Sequence, residues 1–178
     1  GPDYVIIGTD YLTNLTLKSN NKSCRVLITL GGSDPQEVTT WILNSLKTDL
    51  DNSSKYIISV VVGPNFSESQ INKINEFKKW FSKIILVYSP ESLLTLYLST
   101  DIALLGSGAS SRYEAASCGV PTIGVGITRI HDHQCFLHSG LGGFEYLGFY
   151  GDVNSEYFCS RVNKLLVDNK NHKILSDE

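Results

Sequence analysis

The chain has 178 residues, 42% of them hydrophobic, and a formal net charge of -3, which supplies one sizeable core and fits a single domain. Its acids and bases are scattered, with no basic stripe to neutralise a phosphate backbone, so nucleic acid is not expected as a partner. No apolar run approaches membrane-spanning length and no signal peptide opens the chain, so the expectation is a cytoplasmic protein without a membrane span.

Four cysteines, Cys24, Cys118, Cys135 and Cys159, lie far apart without a CxxC pair, a pattern of reduced thiols rather than of a disulfide framework or a zinc site. Methionine is absent, so the sequence reads as a fragment or a processed product. Gly1-Pro2 fits a protease scar and a native lead-in to Tyr4-Val5-Ile6-Ile7 equally well.

A polar stretch over 13–23 gives way to Arg25-Val26-Leu27-Ile28-Thr29-Leu30, a β-favouring run that stops at Gly31-Gly32, as a strand does at a tight turn. Asp34 is placed as an N-cap, with Pro35 at the first helical position and Glu37 at capping-box spacing, before Val38, Trp41, Ile42 and Leu46 recur at helical intervals. The alternation repeats with a strand over 56–62, a helix over 68–81, a strand over 84–88, a helix over 90–98 and a strand over 102–105. A helix over 110–117, a strand over 122–125 and helical segments over 133–138 and 157–167 follow. The Asn-rich tail beyond Asp168 is expected to fray. Runs of Val, Ile and Leu without polar alternation mark strands covered on both faces. Strict strand-helix succession therefore predicts an α/β fold, a doubly wound parallel sheet with helices on both sides.

In such a sheet, of order 3-2-1-4-5-6, ligands bind outside the carboxyl ends of strands one and four, where the order reverses. That rule singles out Gly31-Gly32-Ser33-Asp34 and Gly106-Ser107-Gly108-Ala109-Ser110-Ser111, the joints richest in glycine and serine. Small side chains at Gly108, Ala109 and Ser110 let a diphosphate approach free N–H groups and the positive end of the helix dipole. The hydroxyls of Ser107, Ser110 and Ser111 are further donors. Taken alone, such a loop also serves merely to turn the chain and cap a helix; the pairing of two such loops at one crevice is what argues for a ligand. Glu114, about one turn into that helix, suits the vicinal hydroxyls of a ribose whose phosphates rest on the helix start. It suits an acid held by the helix dipole equally well.

The first loop lacks GxGxxG, the second strand ends in Val62-Gly63-Pro64-Asn65 without a ribose-binding acid, and no GxxxxGK[ST] occurs. A nicotinamide or flavin dinucleotide and an ATPase are therefore disfavoured, and no cofactor is expected. His131, Asp132, His133 and Gln134 form a dense polar cluster, but successive positions do not converge on one helix face, so no metal is expected. This segment either overhangs the crevice and bonds sugar hydroxyls or is a polar helix start.

Taken together, these motifs resemble the C-terminal, Rossmann-like domain of GT-B nucleotide-sugar enzymes. The run Val26 to Pro35 and the lead-in Gly1 to Ile7 are similar to the UDP-sugar hydrolase of pseudaminic-acid biosynthesis and its spore-coat polysaccharide relatives. The run from Ser107-Gly108-Ala109 through Glu114-Ala115-Ala116 to Gly119-Val120-Pro121 also resembles the lipid II-forming N-acetylglucosaminyltransferase. The resemblance implies that Glu114 binds a uridine ribose, that Ser107, Gly108 and Ala109 meet the diphosphate, that Val87 and Tyr88 lie near the uracil, and that Gln134 touches the sugar. Where relatives show an Asn-Gln or Gln-Gln pair, this chain has His133-Gln134. It further implies that residues 1–22 lead in from an N-terminal domain that carries the catalytic residues, that 23–170 form the UDP-sugar-binding domain, and that 171–178 are a frayed tail. Hydrolysis of a UDP-linked amino sugar is the expected reaction of the whole enzyme, with glycosyl transfer, or a noncatalytic binding module, as alternatives.

Overall fold

A computed structural model describes residues 6–12, 23–48, 56–136, 139 and 143–176, apart from the side chains at 131, 133, 134 and 169–176. Six strands, β1 (Cys24–Thr29), β2 (Tyr56–Val62), β3 (Lys83–Tyr88), β4 (Ile102–Leu105), β5 (Thr122–Gly126) and β6 (Phe144–Phe149), alternate with helices. The helices are α1 (Val38–Lys47), α2 (Glu68–Glu76), α3 (Leu94–Leu98), α4 (Ala109–Ser117), α5 (Arg129–Phe136) and α6 (Ser155–Ser176). All neighbouring strands pair in parallel, and the sheet order is β3-β2-β1-β4-β5-β6. This is the doubly wound, Rossmann-like arrangement, with its reversal between β1 and β4.

Burial follows position in the sheet. Every residue of β4 and β5 is buried, whereas the edge strands β3 and β6 are partly exposed. Along β1, Val26 and Ile28 face one layer, where they pack with Ile42 and Leu46 of α1 and Phe158 and Val162 of α6. Leu27 faces the other, with Tyr97 of α3, Ala115 of α4 and Tyr11 from a 3-10 turn over Thr9–Leu12. The period-two alternation of strand side chains divides the core between these two layers.

Several elements differ from the sequence expectation, among them α5, which begins at Arg129 rather than 133. Helix α1 begins at Val38, not at Pro35. Asp34 instead closes a turn with Glu37, whose φ of 53° is left-handed, and its buried carboxylate accepts from the amides of Val38 and Thr39, both at 2.8 Å. Glu37 accordingly makes no capping box; it pairs with Lys73 of α2. The capping box occurs on α2, between Ser67 and Gln70. Helix α3 starts at Leu94 rather than 90, because Ser89 at φ 37° and Pro90 keep the preceding residues in a loop. Strand β6 is an addition. Its aromatic, glycine-containing FEYLGF lacks an aliphatic run, and the ladder shifts register between Gly124 and Gly126. The backbone of α6 stays helical to Ser176, beyond Asp168.

Candidate functional site

The two glycine-rich loops meet at the carboxyl ends of β1 and β4. The amide of Gly106 donates to the carbonyl of Thr29 at 3.2 Å. A Cβ on Gly106 would lie 3.4 Å from the Cα of Leu30 and 2.8 Å from Cδ1 of Ile127, so the loops after β1, β4 and β5 approach closely here and a larger residue would require the Ile127 side chain to shift. On the other flank, Gly31 takes a φ of 95°, which a Cβ would oppose. The loop that follows β2 packs against it: a Cβ on Gly63 would meet the carbonyl oxygens of Gly32 and Gly31 at 2.5 and 2.6 Å, and the Asn65 amide donates to Gly32 at 3.0 Å. Gln70 adds a bond from Nε2 to the carbonyl of Asp34. Gly31, Gly32 and Ser33 are thus exposed on a loop braced from beneath.

Helix α4 opens with exposed Gly108, Ala109 and Ser110. Gly108 is its N-cap and no side chain caps it, so the first amides keep their donors for an anion. Ser107 is half-buried, and its carbonyl lies 3.7 Å from Sγ of Cys135 in α5. The Ser111 carbonyl accepts from the buried Tyr97 hydroxyl at 3.1 Å.

Glu114 is half-buried on α4. Burial raises its carboxyl above the ordinary value, the nearby Asp10 carboxylate raises it further, and hydrogen bonding from Tyr11 offsets part of the rise. Tyr11 itself accepts from the Leu93 amide at 3.1 Å and lies 3.3 Å from Oγ of Ser92. Residues ahead of β1 therefore reach the Glu114 carboxyl and are themselves held by the loop ahead of α3. Val87 and Tyr88 end β3 next to that loop, Val87 half-buried and Tyr88 60% exposed. The backbone of His133 and Gln134 belongs to α5, whereas their side chains fall outside the described residues.

Several groups at this site escape a reading of the sequence. Tyr11 sits in a short turn whose partner, Ser92, is 81 positions away. Asp132 accepts from the Tyr146 hydroxyl at 2.5 Å, which links α5 to β6. Arg112 is only 6% exposed. Its signal is legible after the fact: it stands three residues before the buried Ala115, on one stripe of α4. A surface groove of about 480 Å³ runs along α1 past Glu37, Lys47, Lys73 and Trp80, on helix flanks rather than at the strand ends.

No family model matches the chain. An uncharacterized protein of Methanocaldococcus jannaschii is 27% identical over 128 residues, which cover 69% of this chain and 26% of that protein. MurG of Acinetobacter baumannii superposes with a TM-score of 0.64 at 17% identity, over 88% of this chain and 48% of its own. The putative UDP-N-acetylglucosamine 2-epimerase of Listeria monocytogenes gives 0.60 at 13% identity, over 84% and 38%, and the glycosyltransferase of kitacinnamycin 0.59 at 15%, over 92% and 40%. The fold is thus the Rossmann-like unit found in GT-B glycosyltransferases, and the chain spans less than half the length of these structures. Among the described residues no helix is long and apolar enough to cross a membrane.

Proposed function

We propose that the chain is the donor-binding unit of a GT-B-type enzyme that acts on a UDP-linked amino sugar. The observation that carries this reading is the Gly106-to-Thr29 contact, which brings two exposed glycine loops together beside the uncapped start of α4. The amides of Ala109 and Ser110 and the dipole of α4 hold the diphosphate, and Glu114 accepts from the ribose hydroxyls. Val87 and Tyr88 flank the uracil, while the part of α5 that carries His133 and Gln134 is assigned to the sugar. In glycosyl transfer an acceptor oxygen attacks the anomeric carbon, the bond to the phosphate oxygen breaks, and its electron pair leaves with UDP. Charge then grows on the diphosphate, where the helix start stabilises it most. The catalytic base belongs to a preceding N-terminal domain.

The structural neighbours, solved as glycosyltransferases and a putative epimerase, favour transfer to an acceptor over the hydrolysis that the sequence resemblance suggests. Hydrolysis remains the second reading, supported by the likeness over Val26 to Pro35. A thermal-shift series with UDP, CDP, ADP and NAD tests the donor site, since a ligand that binds the native state raises the melting temperature according to its affinity. UDP is expected to give the largest shift, and Glu114→Ala to abolish most of it. Stabilisation by NAD without UDP would overturn the reading.

A further inference from the structure

We propose that Arg112 is an anion-binding residue of the α4 site, placed for the distal, sugar-bearing phosphate of the bound diphosphate; this rests on the donor-site reading above. Its side chain is 6% exposed, and Nη1 has no hydrogen-bond partner. Nε donates to the carbonyl of Gly108, the N-cap of α4, at 3.3 Å. A guanidinium is planar and rigid, so this bond fixes the plane of the group against the first turn of α4. The group is also held 5.2 Å from the centre of the Phe144 ring. Side chains on a helix lean toward its N-terminus, which brings the charge of Arg112 back under the amides of Ala109 and Ser110.

An unpaired cation in the interior is costly, and a buried charge is ordinarily compensated by a counter-charge and hydrogen bonds. No ion pair of Arg112 occurs among the described residues, and the nearest acid of α5, Asp132, is engaged by Tyr146. Helix amides and a fixed guanidinium together form a two-part receptor for an anion. The phosphate next to the nucleoside meets the amides of α4. The distal phosphate is assigned to the guanidinium, which the Gly108 carbonyl and the Phe144 ring hold in place. One bound phosphate would be served by the amides alone; the guanidinium adds recognition of the second.

The test compares inorganic pyrophosphate, UDP and UMP on the wild-type chain and on Arg112→Met, which keeps volume and removes charge. In the wild type, pyrophosphate and UDP are expected to bind more tightly than UMP. Arg112→Met is expected to weaken UDP and pyrophosphate by about 10- to 100-fold, with UMP changed by less than about 3-fold. An unchanged UDP affinity, or equal loss for UDP and UMP, overturns the proposal. The guanidinium NMR resonances of Arg112 in the wild type provide a readout that needs no variant: they should shift with pyrophosphate and not with uridine. If they stay unmoved while UDP binds, the role of Arg112 falls and the nucleotide reading stands. If pyrophosphate moves them and UDP binds no better than pyrophosphate, Arg112 stands and the uridine reading falls. If neither anion binds, both fall.

Discussion

The hydroxyl of Tyr146 donates to Oδ1 of Asp132 at 2.5 Å, fastening the edge strand β6 to the first turn of α5. Burial and this bond together raise the tyrosine well above its ordinary titration range, so it stays a donor at any pH the fold tolerates. Tyr146→Phe leaves the carboxylate without that donor. It is expected to cost about 1–3 kcal/mol, read as a lower urea midpoint with an unchanged slope.

Asp34 provides a second stability test. At 1% exposure it accepts from the amides of both Val38 and Thr39. Asp34→Ala leaves two buried donors without their acceptor, and a loss of about 2–4 kcal/mol is expected in chemical unfolding. Asp34→Asn, which retains one acceptor oxygen, should cost less; equal losses would show that the charge itself supplies the stability.

Gly63→Ala examines the brace beneath the first loop. The added Cβ would lie 2.5 Å from the Gly32 carbonyl oxygen, and backbone, not a flexible side chain, has to move. Destabilisation of about 1–3 kcal/mol is expected, together with weaker UDP binding in calorimetry. Full retention of both would mean that the loop is softer than its contacts imply.

Glu114 links affinity and stability to pH with opposite signs. Its folded value is raised by burial and by Asp10, so the native state holds the proton more tightly than the unfolded chain does. Stability therefore falls as pH rises from the unfolded value, about 4.3, through the raised folded value, and is level above it. Glu114→Gln removes that cost and should raise the melting temperature at neutral pH, with the gain vanishing in acid. Ribose recognition needs the ionised form, so UDP affinity should decline on acidification at a higher pH than an ordinary carboxylate would give. In the glutamine variant UDP should bind about 10- to 100-fold more weakly at pH 7, with little pH dependence left in titration calorimetry.

The sheet and the position of its crevice are legible in the sequence because they follow from strong local signals. Val26 to Leu30 and Ile102 to Leu105 are β-favouring runs, apolar except for Thr29, that end in glycine, and handedness rules leave few ways to connect them. The start of α1 is not legible: Asp34, Pro35 and Glu37 satisfy a local capping pattern, yet a left-handed turn and the bond from Gln70 move the helix start to Val38. Strand β6 hides behind aromatic residues that serve an edge position. Of the candidate site, spacing singles out the glycine turns and leaves Glu114 balanced between a ribose ligand and an acid held by the helix dipole, whereas the contacts of Tyr11 and Arg112 exist only in the folded chain.

The register of β1 has a bearing on biosynthesis. Val26 pairs with Ile58 on one side and with Ile102 on the other, so a nascent chain that has emerged only as far as β3 leaves the middle strand with an open edge of unpaired backbone groups. Such an edge is a template for association with other chains. Translation that pauses before β4 should therefore yield sticky intermediates, and a truncation ending near residue 100 should accumulate in inclusion bodies.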